Sequence, residues 1–175
     1  EASIGYNAFS VTVDGKDEWG DFLPLHFRAF GEFKLPVYIY SVVPFVATLG
    51  LNAEAVRLPA VIFGLFTLIG CYLIGRKLFN NQVGLLTILF LIISPWFLLF
   101  SRVGDEVSAG LALFIWGIYF YLLRNNNPKY LIATAICLTG AMYSYNSYRV
   151  VVPLAVILGV IELVKTGWLV NKSKK

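Results

Sequence analysis

Charge is scarce in this 175-residue sequence: Asp, Glu, Lys and Arg make up 14% of it, against 58% hydrophobic and 16% aromatic residues. Soluble domains use about 25% charged residues and about half apolar ones, so the composition excludes an ordinary soluble domain and points to a membrane protein. Histidine occurs once, as His26, and cysteine twice, as Cys71 and Cys137, both inside apolar runs with no Cys or His at metal-ligand spacing. A His/Cys metal site is thereby excluded; the cysteines read as small core hydrophobes and His26, set among aromatics, as a packing residue. No Gly-rich phosphate loop, internal repeat or low-complexity tract is present. The formal charge is +4, but basic residues form no stripe or cluster before Lys172, Lys174 and Lys175, which excludes a nucleic-acid partner. The chain opens on Glu1 with no signal-peptide pattern, and reads as a piece of something longer.

What the sequence has is long apolar runs. Leu58 to Gly75, Val83 to Phe100, Val107 to Leu123, Tyr130 to Tyr145 and Val150 to Val164 each approach the roughly 20 residues that a hydrocarbon core of about 30 Å requires. A sixth run, Leu35 to Leu49, reaches only about 22 Å as a helix and contains Pro36 and Pro44, so it is placed on or dipping into the membrane face. If the five longer runs alternate, Arg76 with Lys77, Arg124 with Lys129, and Lys165 with the terminal lysines share one side, cytoplasmic by the positive-inside rule. The other side receives Arg57, the Arg102 to Glu106 connection and Arg149. The first 34 residues carry six acids and suit that outer side. Ile4, Ala8 and Phe9 recur at helical spacing and Phe22 to Phe33 mixes aromatics with charge, which predicts short amphipathic helices at headgroup level.

The expected fold is therefore all-α: a polytopic membrane protein with about five transmembrane helices and outer-face juxtamembrane helices. Its expected organisation is an outer segment over 1–53, a helical bundle over 54–166 and a cytoplasmic basic tail over 167–175 set against anionic lipid. Asn171-Lys172-Ser173 matches a glycosylation acceptor pattern but falls in that inner tail, and is discounted.

Several residues lie where chemistry is possible. Lys34 stands where the chain enters the interface, with Pro36 stiffening the entry. It is placed either to hold a lipid phosphate as a compact point charge or to snorkel as an ordinary interfacial lysine. Arg57 precedes Leu58-Pro59 and reads as a helix start with an interfacial anchor. Arg149 follows Tyr143, Tyr145 and Tyr148, which suit an aromatic belt and equally a wall of a sugar site. Asp105 and Glu106 follow Arg102 in one short connection: either a salt-bridged, water-facing loop with Arg102 as partner, or carboxylates that manage a proton or a sugar hydroxyl.

Taken in order, Glu1-Ala-Ser-Ile-Gly-Tyr-Asn-Ala, Asp14-Gly-Lys-Asp-Glu, Phe30-Gly-Glu-Phe-Lys-Leu-Pro-Val-Tyr, Val56-Arg-Leu-Pro, Ser94-Pro-Trp through Phe100-Ser-Arg-Val, and Tyr143-Ser-Tyr-Asn-Ser-Tyr-Arg carry a resemblance. Together they resemble the N-terminal part of glycosyltransferase family 39 and related GT-C membrane enzymes, of the protein O-mannosyltransferase and aminoarabinose-transferase type. The resemblance implies a first outer loop with an Asp-Glu pair whose Asp is the catalytic base; Glu1 corresponds to the Glu, and the Asp is expected immediately upstream. It implies that Lys34-Leu35-Pro36-Val37 corresponds to a Lys-Pro-Pro-Leu motif whose lysine contacts the lipid phosphate, with Leu35 replacing the first proline. It also places the acid of the second outer loop at Asp105 or Glu106, with Glu106 preferred.

On that resemblance, the chain is expected to be a fragment, inactive on its own, of an enzyme that performs inverting transfer of a sugar from a polyprenyl-phosphate carrier to a hydroxyl of a protein, lipid or glycan acceptor at the outer face. Lys34, supported by Arg102 or Arg149, would stabilise the charge that grows on the phosphate, and Glu1, Asp105 and Glu106 would serve the proton and the sugar hydroxyls. No cofactor is expected beyond the lipid-linked sugar donor, and a divalent metal is left open. Two other classes compete: a transporter or flippase, which requires ionisable residues in mid-span, and a non-catalytic scaffold whose loop charges are ordinary anchors.

Overall fold

The computed structural model of the protein describes residues 1–29 and 31–166, the Glu32 side chain excepted. The basic tail over 167–175, its Asn171-Lys172-Ser173 pattern and Phe30 lie outside the described residues.

Helix α1 (Ala2–Asp14) turns Ile4, Ala8 and Val11 inward and leaves Tyr6, Phe9 and Val13 exposed on its other side. It stops at Gly15, whose φ of 69° is left-handed and suits glycine. A second amphipathic helix does not follow. Strands β1 (Phe27–Ala29) and β2 (Glu32–Lys34) form an antiparallel hairpin instead, pairing Phe27 with Lys34 and Ala29 with Glu32. Pro24 precedes this segment and Gly31, at φ 84°, turns it, so both ends disfavour helix. The burial then alternates, with Phe27 inside and Arg28 outside. His26, expected to pack among aromatics, is exposed just ahead of β1.

Helix α2 (Pro36–Leu49) starts where the sequence demands. Leu35 is held extended at φ −89° and ψ 151° by the proline after it, and Pro36 occupies the first helical turn, where a missing N–H costs little. Its 14 residues reach about 21 Å, too short to cross a hydrocarbon core. Tyr38, Ile39, Val42 and Val46 are buried with Ile4, Ala8 and Val11 of α1 and with Phe27. Val56 and Ala60 of helix α3 (Ala53–Leu78) and Ala109 of helix α6 (Glu106–Leu123) complete the same core. The hairpin and the first two helices are thus fixed to the bundle by one apolar cluster.

Helix α3 is about 39 Å long and is capped by the Asn52 side chain, which accepts from the Ala55 N–H at 2.8 Å. Glu54 in its first turn and Arg76 with Lys77 in its last complement the helix dipole. The run from Val83 to Phe100, expected as one span, is two helices: α4 (Asn81–Ile93) and α5 (Pro95–Phe100). Pro95 has no N–H to continue the ladder and pushes Ser94 to an extended conformation, φ −67° and ψ 118°, which breaks the helix there. The remaining helices are α6, α7 (Tyr130–Met142) and α8 (Tyr148–Lys165). Among the described residues, α3 and α6 are long and apolar enough to cross a membrane, and α4 and α7 are shorter apolar helices. Cys71 and Cys137 are half-buried free thiols.

Small residues let these helices approach. A Cβ on Gly75 of α3 would stand 3.0 Å from the Cα of Gly84 in α4, so the two backbones touch without an intervening side chain. Far from the N-terminal core, Arg124, after α6, binds Glu162 of α8 and lies 4.1 Å over the Tyr121 ring. The Arg124 side chain is only 7% exposed and its Nε has no acceptor among the described residues, while Glu162 is 44% exposed. Glu162→Gln would strand a nearly buried cation; because Glu162 is half in water, the expected loss is about 2 kcal/mol, below the 3–5 of a fully buried pair. Thermal unfolding of the purified protein with and without the change measures it.

Candidate active site

The head of α3 gathers residues from four distant parts of the chain. Arg57 lies one turn inside α3, and its guanidinium donates to both oxygens of Glu1: Nε to Oε1 at 3.0 Å and Nη2 to Oε2 at 2.8 Å. The Gly104 backbone N–H donates to Glu1 Oε1 at 2.8 Å, so the connection before α6 is anchored to the residue that precedes α1. Gly104 is glycine for want of space: a Cβ there would meet Val56 Cγ1 at 2.9 Å and Val56 O at 3.1 Å. Tyr38 of α2 donates its hydroxyl to that same Val56 carbonyl at 2.8 Å. From the other side, the Ser144 hydroxyl donates to the Glu106 carbonyl at 3.1 Å, and the Val37 N–H to the Tyr143 carbonyl at 3.4 Å.

These contacts enclose a polar cavity of about 300 Å³ lined by Glu1, Lys34, Asp105, Glu106, Tyr145 and Asn146, with Ile4, Phe33, Val103 and Gly104. Lys34 reaches it because β2 ends there and Pro36 starts α2 two residues later, fixing the backbone on both sides. Glu106 is buried at the first turn of α6, where the helix dipole favours its negative charge. Tyr145 is half-buried and makes an edge contact with Tyr148, which turns instead toward Phe114.

Of the residues singled out in the sequence, Glu1, Lys34, Asp105 and Glu106 come together here. Arg102 and Arg149 do not line the cavity. Arg102, expected to pair with the acids beside it, makes no ion pair with Asp105 among the described residues. It lines a different cleft with Arg57 because Gly104, turned toward Glu1, bends the connection away from it. Arg149 is exposed. Sequence reading missed Arg57 as the partner of Glu1, 56 residues away; the available signal was an arginine and an acid assigned to the same side of the membrane. It also missed Asn146, whose signal was its place between Tyr145 and Tyr148.

The ion pair sets the chemistry of Glu1. The Arg57 hydrogen bonds first, then the Gly104 N–H, pull its carboxyl from 4.5 down to about 2, against a smaller opposing effect of burial. A depressed folded pKa gives stability that is complete above 4.5 and is lost as pH falls toward 2. The thermal midpoint of the protein is therefore expected to drop across that window, and Glu1→Gln to flatten the drop; a midpoint with the same pH profile in both proteins removes Glu1 from this role.

A family model described as dolichyl-phosphate-mannose-protein mannosyltransferase matches residues 34–174, most of the chain. No curated protein and no solved structure matches it.

Proposed function

Since the chain belongs to the dolichyl-phosphate-mannose-protein mannosyltransferase family, of membrane glycosyltransferases of the GT-C type, we propose that it is the N-terminal part of an enzyme that moves mannose from a polyprenyl-phosphate carrier to an acceptor hydroxyl at the outer membrane face. The observation that carries this reading is the convergence of Lys34 with Glu1, Asp105 and Glu106 on one polar cavity beside a helix long enough to span.

The chemistry needs a cation for the leaving phosphate and a base for the acceptor. As the bond between the anomeric carbon and the phosphate oxygen breaks, both its electrons stay on the phosphate, and the fixed charge of Lys34 stabilises them where little water competes. The acceptor oxygen attacks the anomeric carbon from the opposite face, and its proton passes to a carboxylate. Glu1 is a poor candidate for that proton, because a carboxyl held near 2 is a weak base. Its part is to hold the Gly104 connection and a sugar hydroxyl in register. The proton goes to Asp105, to Glu106, or to the acid that the resemblance places before Glu1. Arg57 positions Glu1. Asn146 and Tyr145 offer a polar and an aromatic wall for the sugar.

Transport fits less well. Asp, Glu, Lys and Arg in α3 to α8 lie within about two turns of the helix ends and supply no mid-membrane relay. Proteoliposomes of the longer enzyme that contains this chain, given labelled polyprenyl-phosphate-mannose and a hydroxyl-bearing peptide, test the reading. Labelled mannose is expected on the peptide, with cysteines placed at Ser10 of α1 and at exposed Arg102 before α6 labelled from the same side. Absence of transfer, or labelling from opposite sides, overturns it.

A further inference from the structure

We propose that the cleft between Glu54, Arg57 and Arg102 at the head of α3 is a binding site for a phospholipid with a primary-amine, zwitterionic headgroup of the phosphatidylethanolamine type. The cleft has a volume of about 380 Å³ and is completed by Leu58 and Val61. It shares no lining residue with the cavity that holds Lys34, and its occupancy does not rest on the transfer reaction.

Charge selects the headgroup. Arg57 spends Nε and Nη2 on Glu1, which cancels its charge and leaves Nη1 without an acceptor among the described residues. What remains is one cation and one anion: Arg102 and Glu54, both exposed, and not in ion-pair contact with each other or with any other described residue. An anionic lipid would gain Arg102 but set its surplus charge against Glu54. A zwitterion meets both, its phosphate on Arg102 and Arg57 Nη1, its ammonium on Glu54. A primary ammonium can donate hydrogen bonds to that carboxylate; a trimethylated one cannot.

The wall below selects a lipid. Val61, Leu65 and Ile69 follow Arg57 at four-residue intervals down one face of α3, exposed by 41%, 56% and 50%. Since α3 is long and apolar enough to cross the membrane, its first turns lie at headgroup depth and this stripe lies in the hydrocarbon. The stripe and the charged cleft are continuous at Val61, so one molecule can place its headgroup in the cleft and an acyl chain along the helix.

Native mass spectrometry of the full chain, mixed with equal amounts of phosphatidylethanolamine, phosphatidylcholine and phosphatidylglycerol, tests the site. Phosphatidylethanolamine is expected to be retained about fivefold over the other two, and Arg102→Gln to lower its retention about as much. Glu54→Gln is expected to abolish the preference over phosphatidylglycerol. Arg102→Lys, which keeps a cation, and Arg149→Gln, which removes an exposed arginine outside the cleft, should retain the lipid. Equal retention of all three lipids, preference for phosphatidylglycerol, or equal losses in Arg102→Gln and Arg149→Gln overturns the proposal.

Discussion

Lys34→Ala is expected to lower mannose transfer by about 100- to 1,000-fold at unchanged expression, the usual cost of removing one preorganised group that stabilises developing charge. The size of the effect follows from where the backbone holds the side chain. Lys34 is the last residue of β2, paired across the hairpin with buried Phe27, and Leu35 after it is almost fully buried. The ammonium therefore enters the cavity from a fixed base, at little cost in ordering. Lys34→Arg keeps the charge but spreads it over a planar fork, and an intermediate loss is expected. The competing role, a snorkelling interfacial lysine, predicts near-normal turnover for both changes. Initial rates with saturating donor separate the two, and near-normal turnover in Lys34→Ala takes the phosphate away from this residue.

Gly104→Ala tests the other half of the site. The added methyl would stand 2.9 Å from Val56 Cγ1, 3.1 Å from the Val56 carbonyl oxygen and 3.5 Å from Glu1 Cγ. Val56 can turn its methyl aside, but its carbonyl is fixed in α3 and already accepts from Tyr38. The connection must lift, and with it go the Gly104 hydrogen bond to Glu1 and the placement of Asp105 and Glu106. A displacement near 1 Å costs about 100-fold in well-placed catalytic groups, so a loss of about 10- to 100-fold is expected. The acid-window drop in thermal midpoint should also shrink, because the second of the two contacts that depress Glu1 is gone. Activity within about twofold of the parent would mean that the Glu1 to Gly104 contact does not hold the site.

The legible parts of the fold were those fixed by local chemistry. Pro36 with a preceding extended residue marks a helix start in sequence and in space. The apolar runs at α3, α6, α7 and α8 became helices, and the two interior prolines, Pro59 of α3 and Pro153 of α8, lie within about two turns of the helix starts and do not end them. The break at Ser94-Pro95 was equally local and was overridden in reading by the hydropathy on both sides. The hairpin at 27–34 was obscured because aromatics interleaved with charge suit both an amphipathic helix and a short strand pair; burial of Phe27 in a core built from four helices decides between them.

The sequence by itself determined that this chain lives in a membrane, where α2, α3, α6, α7 and α8 lie, and which ions lie at which helix ends. These are properties of composition and of neighbours a few residues apart, and no distant contact is needed to set them. Only the tertiary structure decided that Arg57 belongs to Glu1, that Arg102 faces away from Asp105, and that Lys34 shares a cavity with acids 70 residues downstream. An ion in a helical bundle takes its partner from whichever segment the packing of α1, α2, α3 and α6 brings within about 3 Å, and that packing is written in no single stretch of sequence.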